Sequence, residues 1–147
     1  DQYKKLKDKA LEENSEFIPL SIKLEAEISE LEQNEKKSFL KDLGINQPAL
    51  ERLIKTSYNS LGLGTFFTAG EKEVRSWILK KGSLAPEAAG VIHSDFQKGF
   101  IRAEVISFDD YITYQGDQGA KIAGRLRSEG SEYVVNEGDV ILFRFNV

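Results

Sequence analysis

Alternation of apolar and polar positions is sharpest near the end of the chain. Ile101, Ala103 and Val105 are spaced by Arg102 and Glu104; across 140–147, Ile141, Phe143, Phe145 and Val147 share one parity while Leu142 and Arg144 take the other. Successive side chains of a strand point to opposite faces, so both runs read as strands buried on one side. Two β-rich runs, 65–68 and 74–79, precede them and are separated by Ala69-Gly70-Glu71-Lys72-Glu73, which predicts a hairpin with a short loop. Lys80-Lys81-Gly82 ends the second run. Residues 86–94 read as a helix whose Ala88, Ala89, Val91 and Ile92 form a small apolar face able to lie close against a sheet. A polar insertion over 109–127 predicts a short helix at 120–126, followed by Tyr133-Val134-Val135 as a brief strand.

The first sixty residues carry helical spacing instead. Tyr3, Leu6, Ala10 and Leu11 sit among lysines and glutamates over 2–14, as on a helix covering one face of something larger. Phe17-Ile18-Pro19-Leu20 reads as a strand that is short or peripheral, or whose proline nitrogen points away from a partner, because proline cannot donate to a ladder. Leu24, Ile28 and Leu31 then share a helical face. Two further helices are predicted at 35–43, stopped by Gly44, and at 48–61, with Asn46 as cap and Pro48 in the first turn. On the latter, Leu50, Leu53, Ile54, Tyr58 and Leu61 form a stripe that reads as packing against a neighbouring domain, or else as a groove for a partner protein. Helix, strand, helix is the end of an open α/β layer, which needs more strands than this chain supplies. Gly62 and Gly64 mark the domain boundary. The expected fold class is therefore α+β. Hairpin, packed helix and further strands over 65–147 follow the element order of the β-grasp, the ubiquitin-like fold, preceded by helices and one strand left over from an α/β domain.

Composition narrows the chemistry. The 147 residues hold no cysteine and one histidine, His93, which excludes disulfides, thiolate metal sites and a histidine metal cluster. Methionine is also absent and the chain starts at Asp1, so it is expected to be a C-terminal piece of a longer protein. No apolar run approaches the roughly 20 residues that cross a bilayer, and a soluble, cytoplasmic protein is expected. Lys and Arg total 20 against 24 Asp and Glu, so any nucleic-acid contact must use a local patch. Lys37-Ser38 and Lys55-Thr56 lack the preceding glycines that let backbone amides surround a phosphate. Asp109-Asp110 read as helix-start or turn residues rather than an acid/base pair, and His93 as a hydrogen-bonded helix-end residue.

Two basic groups remain as candidates. Over 95–102, Lys98 and Arg102 flank Phe96 and Phe100 around Gly99, a cation-plus-ring combination of the kind single-stranded RNA contacts use; the structural alternative is that both rings plug the open end of the core. Lys80-Lys81 with Lys121, Arg125 and Arg127 would form a second basic surface if the insertion folds over that edge, or else ordinary solvated charge.

Longer motifs give a family. Thr65-Phe66-Phe67-Thr68-Ala69-Gly70, Glu73-Val74-Arg75-Ser76-Trp77, the run from His93 through Gln97-Lys98-Gly99-Phe100 to Glu104, and the closing Glu137-Gly138-Asp139-Val140-Ile141-Leu142-Phe143-Arg144-Phe145-Asn146-Val147 closely resemble the C-terminal region of the YchF (Obg-like ATPase) family. The run from Phe17 to Glu27 is similar to the close of that family's G domain. The resemblance implies a remnant of the nucleotide-binding G domain over 1–32, a helical connector over 33–64 and a TGS domain, a β-grasp module, over 65–147. It also implies a complete protein that hydrolyses ATP in preference to GTP, uses magnesium and associates with ribosomes. Of the nucleotide site, only Ser21-Ile22-Lys23 matches a family element, the fifth G motif, with Ile22 where the family usually has alanine.

The expected function is a non-catalytic part of such an ATPase, with the TGS domain docking on the ribosome, its RNA or a protein through Lys98, Arg102, Phe96 and Phe100. The alternative is a regulatory lid acting on its own G domain. No membrane and no DNA partner is expected, and an independent enzyme has no nucleophile, metal cluster or phosphate loop to rest on.

Overall fold

The structure, a computed structural model, describes residues 1–45, 47–70 and 73–146. It divides into two compact units, Asp1–Leu61 and Gly62–Val147. The predicted Asn46 cap, the Glu71-Lys72 part of the hairpin loop and the end of the last strand at Val147 lie outside the described residues.

Among its described residues, the first unit contains four helices: α1 (Gln2–Glu12), α2 (Ile22–Glu30), α3 (Gln33–Asp42) and α4 (Ala49–Ser60). Gly44, at φ +66°, stands just beyond α3, where the sequence expects the stop. The start of α4 is capped from a distance. Pro48 offers no side-chain acceptor, and the Ala49 N–H donates instead to the Glu25 carboxylate of α2 at 3.0 Å. The strand expected at Phe17-Ile18-Pro19-Leu20 does not form. A ladder needs a neighbouring strand, and the Pro19 carbonyl accepts from Arg52 Nη2 at 3.2 Å instead, while Phe17 packs edge-on against Tyr3. On α4, Leu50, Leu53, Ile54 and Leu61 stand exposed.

The second unit is built on a mixed five-stranded sheet in the order β2-β1-β5-β3-β4. The hairpin β1 (Leu63–Ala69) and β2 (Val74–Lys80) is antiparallel in unbroken register from Leu63↔Lys80 to Ala69↔Val74. Helix α5 (Ala85–Ile92) follows, with the Leu84 N–H donating to Glu87 at 2.8 Å, and then the short α6 (Ser94–Lys98). Strand β3 (Phe100–Ile106) pairs antiparallel with both β4 (Arg127–Glu129) and β5 (Val140–Phe145), and β5 lies parallel to β1. That parallel join is pinned by Phe67 N–H to the Asp139 carbonyl and Gly138 N–H to the Thr65 carbonyl, both 2.8 Å.

The core lies on one face of the sheet. Phe66, Val105, Ile141 and Phe143 meet Ala85, Ala88 and Ala89 of α5, whose lack of bulk lets the helix approach closely. Ile101 departs from the expected alternation: the β3–β5 register shifts between Phe100 and Arg102, leaving it exposed while Ala103 and Val105 are buried. The insertion also differs. Instead of one helix at 120–126 it holds α7 (Phe108–Thr113) and α8 (Asp117–Ile122), joined through Gln115 and Gly116 at positive φ. Tyr133-Val134-Val135 contributes only an isolated bridge, Leu84↔Val134, rather than a strand.

Candidate nucleic-acid interface

The segment leading to Gly99 is mostly helix α6, and its rings and cations part company. His93 caps that helix, its Nδ1 accepting the Asp95 N–H at 3.2 Å. Phe96 stacks on Phe145 with centroids 3.8 Å apart, and Phe100 meets Phe143 edge-on at 6.3 Å; both rings pack against the core. Lys98 projects outward with its Nζ 3.9 Å from Asp95. Arg102 stands elsewhere, on the sheet face away from α5, bonded to Glu104. The four residues named from the sequence thus make separate contacts.

The second basic group is divided as well. Lys80 and Lys81 line a concavity of about 230 Å³ with Gly64, Val134 and Glu137. Arg125 approaches Asp110 at 3.8 Å, and Arg127 bonds the Tyr133 hydroxyl at 3.1 Å. Lys121 lies on α8 beside a different cleft. Asp110 opens α7 as a helix-start residue, its N–H donating to the Ser107 hydroxyl at 3.2 Å.

That cleft, about 270 Å³, lies on the outward sheet face. Helices α7 and α8 cover part of this face, with Phe108 packed against Phe67 at 5.8 Å between centroids. Ile106, Val140 and Leu142 supply apolar lining, and Glu104, Tyr111, Asp117, Gln118, Lys121 and Arg144 supply polar and charged lining. Register places Arg102 of β3 directly opposite Arg144 of β5. Glu104 accepts from both, 3.1 Å from Arg102 Nη2 and 3.0 Å from Arg144 Nη2. The Arg144 bond, above all, holds the Glu104 carboxyl below its ordinary range, with burial opposing and Arg102 adding to the effect. Arg144 was missed in the sequence because it joins Glu104 only through strand pairing, 40 positions away. The one sequence signal for it is its parity, opposite to that of Phe143 and Phe145.

A family model decides what this chain is related to. The YchF-GTPase_C model, described as a protein of unknown function (DUF933), matches residues 63–146. The chain belongs to the YchF family. A protein of Bacillus subtilis named ribosome-binding ATPase YchF is 57% identical over 143 residues, covering 97% of this chain and 39% of that protein. Its counterpart in Escherichia coli O157:H7, under the same name, is 52% identical over 94% of this chain and 38% of its own length. Among solved structures, the YchF GTPase of Schizosaccharomyces pombe superposes with a TM-score of 0.81 at 35% identity, over 98% of this chain and 38% of that one. The chain therefore spans about two fifths of the length of the YchF relatives it matches.

Within this YchF-family chain, Ser21, Ile22 and Lys23 stand together where α2 begins. Ser21 is the N-cap residue but makes no side-chain capping bond; Lys23 is exposed and Ile22 is 83% exposed. Three open residues at one helix start do not enclose a triphosphate, and no glycine-rich phosphate loop occurs in the sequence. Among the described residues no group of three or more His, Cys, Asp or Glu is placed to hold a metal ion. The described residues do not by themselves make a site for ATP and magnesium. Among the same residues no helix is long and apolar enough to cross a membrane.

Proposed function

We propose that this chain is the C-terminal part of a cytoplasmic, ribosome-associated P-loop ATPase, and that its sheet-bearing unit is a TGS-type β-grasp that docks on the ribosome without catalysing a reaction. The observation that carries this reading is the 57% identity, over nearly the whole chain, to a protein named for ribosome binding and ATPase activity. The strand order β2-β1-β5-β3-β4, with β5 parallel to the first strand and one helix against the inner face, supports the β-grasp assignment. On this reading, residues 1–32 belong with the nucleotide-binding G domain and 33–64 form a helical connector. ATP, or GTP, and magnesium are held by parts of the complete protein other than this chain, and Ser21, Ile22 and Lys23 contribute at most a contact on the base side.

Docking places the cations of the second unit against ribosomal RNA, so it weakens as salt displaces them from phosphate. Centrifuging the chain through a sucrose cushion with purified ribosomes tests the reading. The chain is expected in the pellet at low salt and increasingly in the supernatant as salt rises. A chain that stays in the supernatant even at low salt rules out docking by this part of the protein.

A further inference from the structure

Two arginines facing each other across neighbouring strands are an unusual feature of the outward sheet face. Like charges directly opposite one another destabilise a strand pair. Glu104 answers only one of the two positive charges, and both arginine side chains remain 51% exposed. A guanidinium carries five N–H donors in a flat fork, so a single bond to Glu104 leaves each with donors for an anion. Arg144 also lines the cleft described above, across which Lys121 adds a third cation that, among the described residues, makes no ion pair. Ile106, Val140 and Leu142 give the cleft an apolar part, and the carboxylates of Glu104 and Asp117 line it as well.

We propose that this cleft binds single-stranded RNA through one unstacked nucleotide, its phosphate held by Arg144 and Lys121 and its base laid on Ile106 and Leu142 beside Tyr111. Arg102 then meets the next phosphate along the strand. The volume, about 270 Å³, sits just below the roughly 300–1,000 Å³ of ordinary small-ligand pockets, which suits one nucleotide and does not admit a stacked duplex. Gln118 and Asp117 on the rim are placed to bond a base edge. The identification of the RNA as ribosomal rests on the docking function proposed above; the chemistry of the cleft does not.

The test is fluorescence anisotropy of a labelled oligouridylate with the whole chain. Arg144→Gln combined with Lys121→Gln is expected to weaken binding by about tenfold or more and to lower the slope of log affinity against log salt by about 1.4, two phosphate contacts at roughly 0.7 each. Lys121→Glu alone, which leaves the Arg–Glu–Arg bridge intact, is expected to weaken binding with no change in melting temperature. Lys98→Gln, outside the cleft, is expected to bind as the unaltered chain does. Absence of binding by the unaltered chain, unchanged affinity in the folded cleft variants, or tighter binding of a duplex of the same length would each refute the cleft assignment. Ribosome pelleting of the same proteins separates the two readings: a chain that pellets equally well with and without the cleft cations keeps its docking function but loses this site.

Discussion

Among the described residues of the sheet-bearing unit, Asp139 is the buried charge, only 3% exposed. A carboxylate so placed is tolerated because its oxygens are answered. The Tyr133 hydroxyl donates to it at 2.7 Å and the Asn136 N–H at 2.9 Å, while Arg127 stands 3.6 Å away. Burial, reinforced by the bond to Asp139, pushes the Tyr133 phenol above its ordinary value of 10.0. Asp139→Ala strands both donors and is expected to cost about 1–3 kcal/mol, read as a lower urea midpoint; an unchanged midpoint would mean that the network is incidental. Glu104 gives a pH signature. Its carboxyl titrates below the ordinary 4.5 when folded, so the folded chain binds fewer protons there than the unfolded one. Its contribution is then fully present above about pH 4.5 and is lost as pH falls through the lower folded value. The stability gap between the unaltered chain and Glu104→Gln should therefore narrow on acidification below pH 4.5; a gap that is flat or widens contradicts the Arg–Glu–Arg bridge.

At the scale of elements, Gly99 shows how closely α6 and β5 meet. Its carbonyl accepts the Asn146 N–H at 2.8 Å, and a Cβ added there would overlap the Asn146 backbone carbonyl. Its φ of −93° suits any residue, so the constraint is space alone. Gly99→Ala should push the end of β5 away and loosen the Phe96–Phe145 stack, costing about 1–3 kcal/mol as overpacking does; thermal unfolding at the original temperature would show that the strand end yields freely. Elements with a long, clean period were legible in the sequence. The hairpin, the alanine-faced helix α5, β3, β5 and all four helices of the first unit fall within a few residues of their expected positions. Those set by local polar chemistry were not. The helix α7 rests on the Ser107 cap and α8 lies between Gly116 and Gly124, signals weaker than periodicity. Strand β4 is Arg-Ser-Glu, with no apolar residue to betray it. Residues 17–20 have strand composition, yet composition supplies no neighbour to pair with. The same limit explains the site: Arg102 was visible as a cation near rings, whereas its opposition to Arg144 is created by register.

For the whole molecule, the division into two units gives the proposed docking function a location. The unit Gly62–Val147 has its own core and closes its sheet without residues of the first unit. It also carries both the cleft and the Arg102–Arg144 pair. Docking should therefore travel with this unit when the chain is cut at residue 61. The most direct measurement is ribosome co-sedimentation of residues 62–147 and of residues 1–61, each prepared alone and checked for folding by circular dichroism. The account predicts that folded 62–147 pellets with ribosomes in the same salt range as the whole chain, while 1–61 stays in the supernatant. A folded 62–147 that remains in the supernatant under conditions where the whole chain pellets would contradict it.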